Sequence, residues 1–243
     1  MDDAVPILEY LPNTFKNKSE GDYIAFLWET FESNYKNGKY QFAILAYHML
    51  YISFVYFSVW QIKNSRPVDF EKSLIGFSKD DEKSLLTANS PFAFWTINEA
   101  RIFRFLKLVG CENEAVGKFS KLVQQRNEIA HSNGNIFYND SASADQKLVE
   151  VLVQVDAIQQ CMTSVIHDCL CRFLLDSWDE DKREYYETTD QIREVLIHPN
   201  YFSLKDIEAC LTFDIEIFSG HEHFLAIKEL FDTFTTVYRK DKS

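Results

Sequence analysis

Apolar residues recur at three-and-four spacing through almost the whole chain, and polar breaks divide them into successive helices. Ser19-x-x-Asp22 is a cap signal for a first helix over about 22–35, and Asn37-Gly38 turns the chain into a long apolar helix over about 39–62. Residues 63–90 are mixed and polar, a long connection with room for a short helix. Thr96-x-x-Glu99 reads as a capping box for a helix ending near Gly110. Asn113 caps the next helix, about 114–131, which Asn133-Gly134 closes. The polar loop NDSASADQ leads into a helix of about 144–176. The acidic stretch DSWDEDKREYYETTD reads as a solvated linker or helix start, and 182–243 reads as three more helices, with breaks near Pro199 and Ser219-Gly220. The expected fold is all-α: a helical bundle over 1–176 and a helical extension over 177–243 packed on it.

The segment QFAILAYHMLYISFVYFSVWQ (41–61) carries no formal charge when His48 is neutral, and it is long enough to span a bilayer. His48, Gln41, Gln61 and several tyrosines dilute its hydrophobicity. The expected reading is a helix buried on all sides of a bundle, partly at a dimer interface, with no membrane association.

Composition agrees with a helical, packed chain. Of 243 residues 46% are hydrophobic and 15% aromatic, while glycine (7) and proline (5) are scarce. The acidic start MDDAVPILEY lacks the positive charge of a secretory leader, and the five cysteines are odd in number. Both point to a reducing, cytoplasmic setting. A net charge of −12 disfavours general nucleic-acid binding, so such a role needs a local basic patch. One exists. Arg101, Arg104, Lys107, Lys118, Lys121 and Arg126 face only Glu112 and Glu114 between residues 100 and 127, which makes that window +4. The first five are candidate RNA-binding residues.

Arg126 is the anomaly. In helix 114–131 the apolar face comprises Ala115, Val116, Phe119, Leu122, Val123, Ile129 and Ala130, and Arg126 falls within it. A guanidinium cannot shed its proton, so that face must hold a carboxylate or open onto an anion site. Asn127 and His131 are four apart, on one side of the helix. Arg126 and His131 differ by roughly 140° around it, so two copies facing each other across a two-fold axis would form a shared cleft better than one.

Arg126-Asn127-x-x-x-His131 near the end of a bundle helix resembles the HEPN superfamily signature: arginine, a polar residue, three variable residues and histidine. The resemblance covers these six residues, their helical setting and, more loosely, the all-helical region 20–176. It implies a HEPN-like bundle that dimerises and brings two motifs together. Many members are metal-independent endoribonucleases of toxin–antitoxin, abortive-infection or CRISPR-linked defence systems. By position, Arg126 would hold the scissile phosphate, His131 would move protons and Asn127 would orient one of them. The attacking group would be the RNA 2′-hydroxyl, leaving a 2′,3′-cyclic phosphate, with no metal or other cofactor. Members paired with nucleotidyltransferase antitoxins often carry a tyrosine two residues after the histidine. Here Asn133 stands there, with Tyr138 further on. Restraint would come from an antitoxin or other regulatory partner, or from helices 182–243 covering the cleft.

The alternative is a non-catalytic helical module binding a partner protein or nucleotide, with Arg126 paired to a buried acid. A carboxylate beside Arg126 favours that reading, and an open basic groove favours RNA. Three further patterns have ordinary structural readings. Arg193 and His198 repeat the spacing at the edge of a helix face. His167 with Cys161, Cys169 and Cys171 reads as buried thiols rather than a zinc site, and His221-x-His223 as a solvated first turn.

Overall fold

Helix follows helix because each apolar stripe needs a partner face, and here the partner is a single central helix. The computed structural model describes residues 2–131 and 134–239. Its α-helices are α1 (Lys18–Lys36), α2 (Tyr40–Ser65), α3 (Pro67–Lys72), α4 (Lys79–Thr87), α5 (Glu99–Ile102), α6 (Asn113–Ala130), α7 (Ser141–Ser177), α8 (Thr188–Gln191), α9 (His198–Asn200), α10 (Leu204–Cys210) and α11 (Phe224–Arg239). Tight 3₁₀ segments cover Asp2–Tyr10, Pro91–Thr96, Phe103–Val109, Glu180–Lys182 and Ile215–Phe218, and a widened π segment, Ile192–Ile197, joins α8 to α9. Among the described residues there is no strand, only an isolated bridge between Pro12 and Ser203. The fold is all-α.

Helix α2 is the axis. Every residue from Leu50 to Ile62 is buried, so it is apolar all round rather than amphipathic. It is long and apolar enough to cross a membrane, but 83% of its most apolar stretch is buried inside the protein. Helix α1 packs antiparallel on it across the Asn37-Gly38 turn, where Gly38 takes a φ of 68° that a side chain would resist. Helix α7, 37 residues and therefore about 55 Å long, lies along it with Leu148, Val151, Val155, Ile158, Met162, Val165 and Cys169 buried at helical spacing. Arg66 ties the end of α2 to α7 through Asp168 at 2.7 Å and to the Leu108 carbonyl at 2.9 Å. Arg172 returns the tie by donating to the carbonyls of Asn64 and Ser65, groups that a helix end leaves open.

The residues after α7 pack back on this frame. Trp60 Nε1 donates to the Pro199 carbonyl. The fully buried Asp206 accepts from Gln61 of α2 at 3.0 Å, from Gln159 of α7 at 2.8 Å and from its own helix cap, the Ser203 N–H, at 2.9 Å. Tyr201 sits in the left-handed region (φ 53°) and ends the 188–200 helical stretch two residues beyond Pro199. The break expected near Pro199 therefore falls two residues later, at Tyr201, and Pro199, which has no N–H to donate, lies in the last turn directly after the π segment.

Several expected boundaries move. Helix α1 starts at Lys18, where Asn17 rather than Ser19 pairs with a carboxylate three residues on, donating to Glu20. The 63–90 connection holds two short helices. The expected capping box at Thr96 and Glu99 does not form. Asn98 caps α5 by accepting from the Ala100 N–H at 2.9 Å, and Thr96 bonds to the Ala93 carbonyl instead. The helix expected up to Gly110 is one α turn followed by a 3₁₀ run.

Candidate functional site

Helix α6 places Arg126 as its spacing requires. Phe119, Leu122, Val123 and Ile129 are buried against the core, and Arg126 shares their face, with 26% of its side chain exposed. Its Nη2 donates to Glu99 Oε2 from the first turn of α5. Glu99 Oε2 lies in turn 3.8 Å from Nε2 of His48, a buried residue of α2. That distance is beyond a hydrogen bond, and both His48 Nε2 and Arg126 Nε are buried without a hydrogen-bond partner. Three helices thus converge on one carboxylate. The carboxylate alternative posed by the stripe is met by Glu99, and the same pair lies on the wall of a cavity of about 710 Å³.

The cavity runs between the first turns of α1, the middle of α2 and the segment 90–99. Tyr23, Tyr56, Phe92 and Trp95 give it aromatic walls, with Tyr23 and Phe92 edge to face at 5.3 Å and Trp95 74% exposed. Its second carboxylate, Glu20, is fully engaged: Ser90 Oγ donates at 2.6 Å, Tyr201 Oη at 2.8 Å and Asn17 Nδ2 at 3.2 Å. Arg126 is the single Lys or Arg among the described lining residues.

Burial alone would raise the Glu99 carboxyl, but His48 and Arg126 together hold it below its ordinary value. Burial pushes His48 below its ordinary 6.5, with Arg126 and Lys147 adding to this against the pull of Glu99. The signs agree. Below pH 6.5 the unfolded chain takes up a proton on His48 more readily than the folded one, and at lower pH the unfolded chain protonates Glu99 first as well. In both cases the unfolded state binds more protons, so stability is lost as pH falls. We expect the thermal midpoint to fall from pH 7 to pH 5, and to fall less in His48→Gln. A variant with the same dependence would remove His48 from this role.

The other motif residues lie elsewhere. Asn127 is exposed, and its carbonyl accepts from the His131 N–H at 3.1 Å, the last bond of α6. His131 leaves the helix in extended conformation (ψ 145°), is exposed and does not line the cavity. Gln41 fixes this end of the helix, donating to the Ile129 carbonyl and accepting from the Phe137 N–H. Asn133 lies outside the described residues. Tyr138 is half-buried, its hydroxyl pushed up to about 12 by burial and Glu150.

The five bases expected to bind RNA do not line the cavity. Arg101 is structural: it pairs with Asp81 at 3.3 Å, donates to the Gly76 carbonyl and stacks 4.0 Å over Phe77. Lys118 pairs with Glu114 one turn away, and Arg104, Lys107 and Lys121 are exposed. Nor do described residues of 177–239 line the cavity, so the C-terminal helices do not cover it. Tyr201 instead braces Glu20.

Arg193 is exposed and paired with Asp190 and Glu194. His167 Nε2 is 3.0 Å from the Ala209 carbonyl, and the five cysteines are free thiols. His223 stacks on Trp178 at 3.8 Å. No group of three or more His, Cys, Asp or Glu suited to a metal occurs among the described residues.

Comparison of the chain with protein-family models, curated proteins and solved structures finds no match. The site therefore has to be read from its own chemistry.

Proposed function

We propose that this chain is a metal-independent endoribonuclease of HEPN type, working as a homodimer in which two α6 ends meet. The observation that carries the reading is the position of Arg126. It is neither free in solvent nor sealed in the core. It stands in a cavity wall with Nη2 on Glu99 and no other hydrogen bond among the described residues, five residues before an exposed histidine at a helix end. An incoming phosphate would take up guanidinium N–H groups that Glu99 leaves open, other than the buried Nε, as charge-assisted pairs favour. His131, with Asn127 beside it on the exposed side, would be presented to the partner's cleft and would move the proton of the 2′-hydroxyl or of the leaving oxygen. The Glu99 pair would then hold Arg126 at the cavity wall, both without RNA and with it. A toxin or antiviral-defence role, restrained by an antitoxin or similar partner in the cytoplasm, belongs to the same reading.

The second reading, a helical interaction module, is favoured by the Arg126–Glu99 pair itself, because it supplies the carboxylate that a purely structural arginine needs.

The test is the chemistry of the product ends. Purified protein incubated with cellular RNA in EDTA should leave 2′,3′-cyclic phosphates and spare DNA of the same sequence. Cleavage that requires a divalent metal, or that extends to DNA, would overturn the ribonuclease reading. Intact RNA under every condition would favour the module.

A further inference from the structure

We infer that the cavity beside Arg126 is a guanine-reading site, taking one unstacked guanine base either from a single-stranded RNA or from a free guanine nucleotide. The inference rests on the reading of Arg126 as a residue that faces RNA, and it names the base read there.

The walls suit a flat ring. Tyr23, Tyr56 and Phe92 form an aromatic lining, and Trp95 stands at the cavity with most of its indole in water. An exposed tryptophan beside an aromatic cavity offers a face on which a base can stack. At about 710 Å³ the space is in the range of small-molecule sites and can hold a nucleoside.

The polar end selects the base. Of the two carboxylates, Glu20 already accepts from Ser90, Tyr201 and Asn17, so it has little left to offer a ligand. Glu99 accepts from Arg126 on one lone pair of Oε2, and its Oε1 bonds to nothing among the described residues, so its two oxygens together can still accept two parallel donors. A carboxylate accepts best from two donors side by side. Guanine is the RNA base whose Watson–Crick edge carries two adjacent donors, N1–H and the N2 amino group. Adenine and cytosine present one amino group beside a ring acceptor, and uracil one ring N–H between two carbonyls.

A second observation points to a ligand. His48 is 4% exposed, lines the cavity and leaves Nε2 without a hydrogen bond. Orphaned polar atoms of this kind are rare unless another group completes them. Here the orphan lies 3.8 Å from Oε2 of the very carboxylate that would read the base. A Glu99 drawn toward a base by two hydrogen bonds keeps Arg126 alongside, with its outer N–H groups left for the phosphate.

The experiment is calorimetric titration of the full chain with GMP and with AMP, and with single-stranded 2′-O-methyl uridine oligonucleotides carrying one central guanine or one central adenine. The 2′-O-methyl groups prevent cleavage. Guanine should bind at least about tenfold more tightly than adenine, the discrimination of one bidentate pair. Saturable GMP binding identifies a free nucleotide as a sufficient source, and binding of the oligonucleotide alone identifies the strand. Trp95→Ala, at an exposed position that leaves the thermal midpoint unchanged, should weaken guanine binding roughly tenfold. Glu99→Gln should erase the preference for guanine. Equal binding of the two bases, no binding of any guanine ligand, or full binding by Trp95→Ala overturns the inference. The wild-type titrations and Trp95→Ala are decisive even if Glu99→Gln fails to fold. Guanine binding without RNA cleavage would keep this inference and remove the ribonuclease. Cleavage without a guanine preference would do the reverse.

Discussion

Asp206→Ala should destabilise the protein by about 3–5 kcal/mol, the cost of stripping a buried carboxylate from its donors. Asp206 is fully buried and serves three elements at once. Gln61 donates to it from α2, Gln159 from α7, and the Ser203 N–H from the start of α10. Alanine leaves two buried amides and a helix-cap N–H without acceptors, and it removes half of the Ser203–Asp206 cap, in which Ser203 Oγ accepts from the Asp206 N–H. Each orphaned donor costs about 1–3 kcal/mol. For a chain of this size the loss corresponds to a fall of about 10 °C in thermal midpoint. Urea unfolding followed by circular dichroism measures it. A change under about 1 kcal/mol would mean that the network contributes little to joining the C-terminal helices to the bundle. Asp206→Asn should be nearly as damaging, because one of its two acceptor oxygens becomes a donor facing donors.

That network shows what the sequence does and does not disclose. The helices were legible because their stripes are long and regular: α2, α6 and α7 lie within about three residues of the spans that their spacing predicts. Arg126 was legible as an anomaly, since a charge inside an apolar stripe must find a counterion, and Glu99 is that counterion. The identity of the counterion was not legible. Glu99 is 27 residues away and stands three residues after Thr96, where a capping box accounts for it locally. Asn98 takes the capping role and releases Glu99 to reach across to α6. His48 showed only as a polar residue diluting an apolar helix, and its contact with Glu99 is a tertiary fact. The cavity was invisible for the same reason. Its aromatic walls come from three segments with no common spacing. Asp206 could have been suspected, because Ser203-x-x-Asp206 is itself a cap signature, but no local pattern says that such a carboxylate also collects two glutamines.

The basic island was a weaker guide. Net charge in a window says nothing of where side chains point. Arg101 spends its guanidinium on Asp81, Gly76 and Phe77, and Lys118 on Glu114, so the +4 window does not form a basic cavity. The proposed RNA recognition therefore rests on Arg126, on aromatic stacking and on a second protomer.

The other large effect belongs to Arg126 and His131. If Arg126 stabilises charge on the phosphate and His131 moves a proton, Arg126→Ala and His131→Ala should each slow RNA cleavage by about 10²–10⁴-fold, the range for one electrostatic or acid–base group. Their effects on stability should differ. His131 is exposed at a helix end, so its replacement should leave folding unchanged. Arg126→Ala strands Glu99 beside His48, and its thermal midpoint should fall as well. His131→Ala is therefore the cleaner variant. The most direct measurement is the rate of RNA cleavage in EDTA by wild type, Arg126→Ala and His131→Ala, with thermal midpoint and oligomeric state recorded for each. The proposed mechanism predicts that wild type cleaves to cyclic phosphate ends, and that His131→Ala, folded and dimeric, loses cleavage at least about a hundredfold. A folded, dimeric His131→Ala that cleaves RNA at the wild-type rate would contradict it.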